Sequence, residues 1–148
     1  MIENPTILRL KNKIDPDLYK LLTSNNIYIL QLTLKKTWYN RIVGGEKKEE
    51  YREIKPYWTH RFIDRFLDFC DYLDVNLFHI ETKESWNECY KHFDYVIFRN
   101  GYKKNSPLML VECKGISTSY GNKDWGADGI TKFYTIKLGD VLYFDQCN

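Results

Sequence analysis

Residues 27–54, IYILQLTLKKTWYNRIVGGEKKEEYREI, predict a strand, a helix and a second strand in immediate succession. The first part, residues 27–34, is rich in Ile, Leu, Tyr and Thr and alternates in part, as strands that enter a core do. In residues 46–54, charged residues alternate with Tyr51 and Ile54. This alternation predicts a strand with one face towards a cleft and the other towards solvent.

The helix between these strands has recognisable ends. Thr33 is a candidate cap, and Trp38 and Ile42 recur at helical spacing after it. The pair Gly44-Gly45 then provides a stop.

Further elements are expected on both sides of this stretch. Asp15-Pro16 opens a short helix, Pro56 ends or bends the second strand, and residues 61–73 carry the apolar stripe of a core-facing helix. Strands are predicted at residues 77–82, 95–99, 108–111, 133–138 and 141–144, the last two as a hairpin around Gly139, with a glycine-rich loop at residues 117–129. This order predicts an α+β chain that curls into a small β-barrel, with one helix between the first two strands and another inserted later.

The composition predicts a single globular domain. The chain has 148 residues, of which 43% are hydrophobic and 28% charged, and this is enough to bury a core without covalent staples. Its apolar runs fall far short of the ~20 residues of a transmembrane helix, and its start lacks the pattern of a secretory signal. We therefore expect a cytoplasmic protein without a membrane partner, and the sequence leaves its oligomeric state open.

Neither a metal nor a cofactor is predicted. The four cysteines form no C-x-x-C pair and the three histidines form no cluster with ligand spacing, so we expect reduced thiols and no zinc. A net charge of +2 means that any nucleic-acid site must come from local clustering. The 12 Tyr, 8 Phe and 4 Trp offer flat faces for bases, although most large rings fill cores.

The second strand and its approach resemble a known family. Four residues fit the G-x-K-x-x-E-x-R motif of the ASCH family: Gly45, Lys47, Glu50 and Arg52. Residues 29–35, where a strand runs into a helix, and residues 134–142, near the end of the chain, are also similar to this family. The resemblance covers residues 27–148 and leaves residues 1–26 as an N-terminal extension with a short helix.

ASCH domains are similar in fold to PUA domains, so the resemblance implies a PUA-like β-barrel that binds RNA or a modified nucleoside beside the motif. Arg52 offers a planar fork of donors to a phosphate or a base edge, Lys47 a compact charge, and Glu50 an acceptor for an exocyclic amine. A regular strand places Glu50 and Arg52 on one face and Lys47 on the other, so all three converge only if the chain turns at Gly45. The alternative is that Glu50 and Arg52 form an ion pair that merely closes the barrel.

Five further residues are candidates for ligand contact. Lys35 lies at a helix N-terminus and either binds an anion or faces solvent. Tyr57 and Trp58 either stack on a base or pack in the core. Glu112 either approaches the motif from inside the barrel or forms a surface ion pair. Trp125, in the glycine-rich loop, either covers a ligand or anchors its own loop.

The resemblance also allows an enzyme, because some ASCH proteins are amidohydrolases that deacylate acetylcytidine with a Lys, a Thr and a Glu. The Lys corresponds to Lys47, but the position of the nucleophilic Thr carries Glu50, which has no hydroxyl. An amidase can still operate with Glu50 as general base for water and Lys47 polarising the carbonyl. Ribonuclease activity also occurs in the family, and a protein-interaction factor is a third open class. Binding is the function that we rank first.

Overall fold

The computed structural model describes residues 4–63 and 90–147 of the chain. In this part of the chain the elements are α1 (Pro5–Leu8), α2 (Pro16–Leu22), β1 (Ile29–Leu34), α3 (Lys36–Val43), β2 (Glu49–Glu53), α4 (Pro56–Phe62), β3 (Tyr95–Asn100), β4 (Leu108–Ser119), a 3₁₀ turn (Lys123–Trp125) and β5 (Phe133–Phe144). None of the helices in these two ranges is long and apolar enough to cross a membrane.

The five strands form one mixed, strongly curled half-barrel sheet in the order β1-β3-β4-β5-β2. β1 pairs with β3 in parallel, whereas β3 with β4 and β2 with β5 pair antiparallel. The predicted α+β chain with a helix between its first two strands is therefore confirmed, and its curled sheet is a half-barrel.

Helix α2 begins at the predicted cap, whereas α3 does not. Asp15 accepts hydrogen bonds from two backbone N–H groups in the first turn of α2, at 2.8 and 3.4 Å, and Pro16 follows at the first helical position. The prediction that Thr33 caps α3 is wrong, because Thr33 lies within β1 and pairs with Arg99 of β3. α3 starts after Lys35, whose side chain makes no capping hydrogen bond.

Three strands differ from their predicted bounds by three residues or more. β2 begins at Glu49, so Lys47 precedes the strand. β4 continues through Gly115 to Ser119, into a stretch predicted as loop. The predicted hairpin around Gly139 is wrong, because β5 is one strand of 12 residues and Gly139 lacks the positive φ that a two-residue hairpin turn requires.

α4 begins at Pro56, where the sequence predicted only the end or a bend of a strand. Proline is well suited to this position, because the first turn of a helix leaves its N–H groups without helical partners. The predicted helix at residues 61–73 lies outside the described residues beyond Ile63, as does the whole predicted strand at residues 77–82.

The chain divides into two compact units, of which the first comprises Met1–Lys48, Phe93–Cys113 and Gly139–Asn148. Its core joins the N-terminal segment to the sheet. The buried members of this core are Leu10, Leu22, Ile97, Leu108 and Leu110, with Ile7, Ile14, Leu18, Ile29, Tyr95 and Tyr143 packed around them. The N-terminal helices are thus part of the packing of this unit.

The second unit comprises Glu49–His92 and Lys114–Leu138. Buried Tyr134 of β5 lies at its centre and meets the Phe62 ring edge-on, with 5.4 Å between ring centroids. The Tyr134 hydroxyl lies 2.5 Å from the Thr59 hydroxyl, within hydrogen-bond distance. These contacts hold α4 against β5.

Candidate functional site

Glu50 and Arg52 lie side by side on β2 in the second unit. They are two residues apart in a strand that pairs with β5, so both side chains project from one face. An Arg52 guanidinium nitrogen donates to the Glu50 carboxylate at 2.5 Å and to the Tyr51 carbonyl at 2.9 Å. The Glu50 side chain is 6% exposed and that of Arg52 15% exposed. The pair is therefore shielded from water and is not an open surface ion pair.

Trp58 brings two guanidinium groups together. The guanidinium carbon of Arg52 lies 5.1 Å from the centroid of the Trp58 ring, and that of Arg61 lies 5.2 Å from it. Arg61 also lies 5.9 Å from the Tyr57 ring, because residues three and four apart are neighbours on a helix. All three distances lie within the ~6 Å over which a cation is attracted to an aromatic face.

Tyr57 provides the exposed ring of this group. It meets Trp58 edge-on, with 4.8 Å between centroids, while Phe62 stacks on Trp58 at 5.4 Å. Trp58 is half-buried among these neighbours, whereas Tyr57 is 64% exposed. We call Arg52, Tyr57, Trp58 and Arg61 the guanidinium–aromatic cluster. It combines planar hydrogen-bond donors with a ring that solvent reaches.

Arg61 was not among the residues predicted from the sequence. Its contacts with Tyr57 and Trp58 arise because α4 begins at Pro56 and carries all three residues. A proline followed at helical spacing by two aromatic residues and an arginine was the signal that could have identified it.

Lys47 lies in the first unit and is 2% exposed. Its ammonium nitrogen lies 4.9 Å from the centroid of the Trp38 ring, and its backbone N–H donates to the Arg41 carbonyl at 3.1 Å. The preceding Gly45 has φ 81°, so the turn that the sequence required at this glycine is present. The Arg41 guanidinium carbon lies 5.4 Å from the same Trp38 ring, and Arg41 pairs with Glu46 at 3.8 Å.

The first unit contains two other candidates, Lys35 and Glu112. Lys35 is exposed at the N-terminus of α3. Glu112 is half-buried on β4, where it is in register with Tyr95 of β3.

Trp125 lies in a loop of the second unit that Tyr51 holds in place. The Tyr51 hydroxyl accepts a hydrogen bond from the Asn122 N–H at 2.9 Å and donates to Glu49 at 2.8 Å. Burial raises the pKa of Tyr51 well above its ordinary value, so the hydroxyl keeps the proton that it donates. A Cβ on Gly121 would lie 2.8 Å from the Tyr51 ring, which leaves no room for a side chain there. Trp125 ends the 3₁₀ turn of this loop and is half-buried.

Four of the predicted residues thus form one chain of contacts in the second unit: Glu50, Arg52, Trp58 and Tyr57. Lys35, Lys47 and Glu112 belong to the first unit. The prediction that Lys47 meets Glu50 and Arg52 in one pocket stays a prediction.

Within residues 4–63 and 90–147, no three His, Cys, Asp or Glu side chains are grouped so that they could hold a metal ion. Neither Cys113 nor Cys147 is in a disulfide bond. Comparison with known proteins gave no family model, no curated protein and no solved structure that matches the chain.

Proposed function

We propose that this chain is a cytoplasmic ASCH-type module with a PUA-like fold that binds RNA or a modified nucleoside. The observation that carries the proposal is the guanidinium–aromatic cluster, in which Arg52 contacts Glu50 and Trp58 beside an exposed tyrosine. Arg52 and Glu50 are also two of the four residues that fit the ASCH motif. This half of the motif therefore coincides with the cluster in the second unit.

The members of the cluster suit different parts of a nucleotide. The exposed Tyr57 ring offers a face on which a base stacks, and every base has such a face. The Arg52 guanidinium presents paired N–H donors to a base edge or a phosphate, and Glu50 holds this guanidinium in one orientation. Trp58 is covered by its neighbours, so its role is to position the cations and not to stack on the ligand.

The architecture is compatible with the proposal. A curled, mixed half-barrel sheet with a helix between its first two strands is what we expect if the chain folds as a PUA-like barrel. A fold does not define an activity, so the cluster carries the functional argument.

The amidohydrolase and ribonuclease alternatives have less support. A general base must reach the water from which it takes a proton. The Glu50 carboxylate accepts a hydrogen bond from Arg52 at 2.5 Å, and its side chain is 6% exposed. This arrangement suits a residue that orients Arg52 better than one that activates water.

Replacement of Tyr57 with Leu tests the proposal, with binding of fluorescent single-stranded RNA followed by anisotropy at low salt. Loss of one stacked base costs about 1–3 kcal/mol, so we expect binding at least about fivefold weaker. Because Tyr57 is 64% exposed, the variant should unfold at the same urea concentration as the wild type.

Tyr102→Leu is the matched control, since Tyr102 is an 89% exposed tyrosine on the turn between β3 and β4. It should bind RNA as the wild type does. Equal binding by wild type and Tyr57→Leu, or equal losses in both variants, would place the ligand elsewhere.

A further inference from the structure

The turn between β3 and β4 is held in place by two arginine side chains. A guanidinium nitrogen of Arg99 donates to the Lys103 carbonyl at 2.8 Å. From the N-terminal segment, Arg9 donates to the Ser106 carbonyl at 2.8 Å and to the Lys104 carbonyl at 3.4 Å. The Ser106 N–H and hydroxyl also donate to the Lys103 carbonyl, at 3.0 and 2.6 Å. The backbone of this turn is therefore fixed before any partner binds.

These contacts gather positive charge in one place. They link Arg9, Arg99, Lys103 and Lys104, and both lysines are exposed. We call these four residues the basic patch. In the part of the chain that the structure describes, the one carboxylate within ion-pair distance of the patch is that of Asp145, 4.0 Å from Arg9. The patch therefore carries an excess of positive charge, although the net charge of the whole chain is only +2.

Arg99 adds a donor that the fold leaves without an acceptor. Its Nε–H group is buried and makes no hydrogen bond to any of residues 4–63 and 90–147. A buried donor of this kind costs free energy, because it loses its contact with water and gains none in return. Negative charge brought to the patch by a partner would lower this cost.

The groups that the patch exposes favour carboxylates over phosphates. Planar guanidinium forks recognise phosphates best, but the hydrogen bonds of Arg9 and Arg99 go to backbone carbonyls of the turn. Lys103 and Lys104 present ammonium groups, which attract a carboxylate as compact charges and impose little orientation on it.

A protein also fits this surface better than a membrane does. Tyr102, next to the two lysines, is 89% exposed, and tyrosine is enriched at protein–protein interfaces. Binding to a lipid surface takes an apolar face as well as positive charge. Residues 100–107 expose no large apolar side chain apart from this ring.

We infer that the basic patch docks an acidic segment of a partner protein, with carboxylates of that segment against Lys103 and Lys104. Opposite charge speeds the encounter of the two surfaces, and the fixed turn lowers the entropic cost of binding. The patch belongs to the first unit and the guanidinium–aromatic cluster to the second. The inference thus uses none of the cluster's residues and does not rest on the proposed function.

Two labelled peptides, titrated with the full chain and followed by fluorescence anisotropy, test the inference. One peptide alternates glutamate with serine, and the matched peptide carries glutamine in place of each glutamate. At low salt the acidic peptide should bind at least about tenfold more tightly than the glutamine peptide. Its affinity should fall as salt is added, because exposed charges are screened over about 10 Å at 0.1 M.

The double variant Lys103→Gln/Lys104→Gln should bind the acidic peptide about five- to tenfold more weakly, because it lacks both exposed ammonium groups. Lys103→Arg/Lys104→Arg keeps the charges and should bind as the wild type does. The matched control is Lys20→Gln/Lys36→Gln, which removes two exposed lysines of the same unit, in α2 and α3. Its affinity should equal that of the wild type, and all three variants should unfold at the urea concentration of the wild type.

Other occupants of the patch would give different results. RNA that competes with the acidic peptide and binds Lys103→Gln/Lys104→Gln more weakly would make the patch a nucleic-acid surface. Sedimentation of the chain with phosphatidylserine vesicles, lost in the same variant, would make it a lipid surface. Either result overturns the inference, as does equal binding of the two peptides or equal affinity of the two glutamine variants. Tyr57→Leu should leave the peptide affinity unchanged, so the inference and the proposed function fail in separate measurements.

Discussion

Arg52 and Glu50 form an ion pair that is mostly withdrawn from water, and such pairs add little to stability. The cost of desolvating two charges offsets most of their attraction, and apolar residues of similar volume often serve the fold as well. The Tyr51 carbonyl and the Trp58 ring also contact this guanidinium and fix its orientation. A fixed planar fork lowers the entropic cost of recognising a ligand, so the arrangement favours a role in binding.

The ion pair between Glu50 and Arg52 leads to a prediction about the stability of the fold. Arg52→Gln should lower the free energy of unfolding by about 3–5 kcal/mol, because the shielded Glu50 carboxylate loses its guanidinium partner. The double variant Glu50→Gln/Arg52→Gln should recover most of this loss, since it removes the buried charge as well. Urea unfolding followed by circular dichroism measures both values.

Lys55→Gln provides the exposed counterpart for that measurement. The Lys55–Glu53 pair has side chains that are 60% and 61% exposed, so its loss should cost less than about 1 kcal/mol. A double variant as unstable as Arg52→Gln alone would show that the stacking on Trp58, and not the ion pair, stabilises this region.

Only some residues of the candidate site could be predicted from the sequence. Glu50 and Arg52 were recognisable because they match a local motif, and their separation by one residue on a strand already placed them on one face. Arg61 was missed because its contacts depend on a helix that begins at Pro56, where proline was taken as a strand end. The spacing of residues along the sequence predicts their contacts only when the secondary structure of the segment has been predicted correctly.

Among the elements, those with strong local signals were predicted well. Asp15-Pro16 starts α2, as predicted, and the strand predicted from residue 27 is β1, Ile29–Leu34. β5 was predicted as a hairpin because Gly139-Asp140 is a favourable turn pair, yet these two residues lie within one continuous strand. The parallel pairing of β1 with β3 joins residues more than sixty positions apart, and local sequence carries no signal for it.

Asp145, directly after β5, ties three parts of the first unit together. Its carboxylate accepts hydrogen bonds from the Leu108 N–H at 2.9 Å, from Lys13 at 3.4 Å and from the Tyr143 hydroxyl. Its backbone carbonyl accepts a hydrogen bond from the Tyr39 hydroxyl at 2.9 Å. Burial alone would raise the pKa of Asp145, but the hydrogen bonds outweigh it and hold this pKa below its ordinary value.

The lowered pKa of Asp145 predicts an acid-dependent loss of stability. The ionised carboxylate contributes fully above the unfolded pKa of about 3.9, and its contribution disappears as the pH falls through the lower folded value. Asp145→Asn should therefore be less stable by about 1–3 kcal/mol near neutral pH, and its unfolding free energy should converge with that of the wild type at low pH. Asp140 occupies an exposed position of β5, so the unfolding free energy of Asp140→Asn should change with pH as that of the wild type does. A constant difference between Asp145→Asn and wild type at every pH would contradict this account.

At the scale of the whole molecule, residues near the N-terminus form part of the core of the first unit. Leu10 and Leu22 are 1% and 3% exposed and pack with Ile97 and Leu110 of the first unit. Burial of each such side chain contributes about 1.5–3 kcal/mol. Measurements of binding or catalysis therefore belong on the full chain, because removal of residues 1–26 would uncover this core.

The last prediction concerns catalysis by the full chain: it should release acetate from acetylcytidine slowly or not at all. In the proposed ASCH module, Glu50 stands where the amidohydrolases have a nucleophilic Thr, so no hydroxyl is available there to form an acyl intermediate. The Glu50 side chain is 6% exposed, which restricts its access to water, and Lys47 is 2% exposed, which restricts its access to a substrate carbonyl. Chromatographic detection of cytidine gives the rate, with Glu53→Gln as an exposed control on β2. Turnover that disappears in both Lys47→Ala and Glu50→Gln but persists in Glu53→Gln would establish a water-activating amidase and reverse the ranking, whereas turnover that survives all three changes would belong to another site or a contaminant.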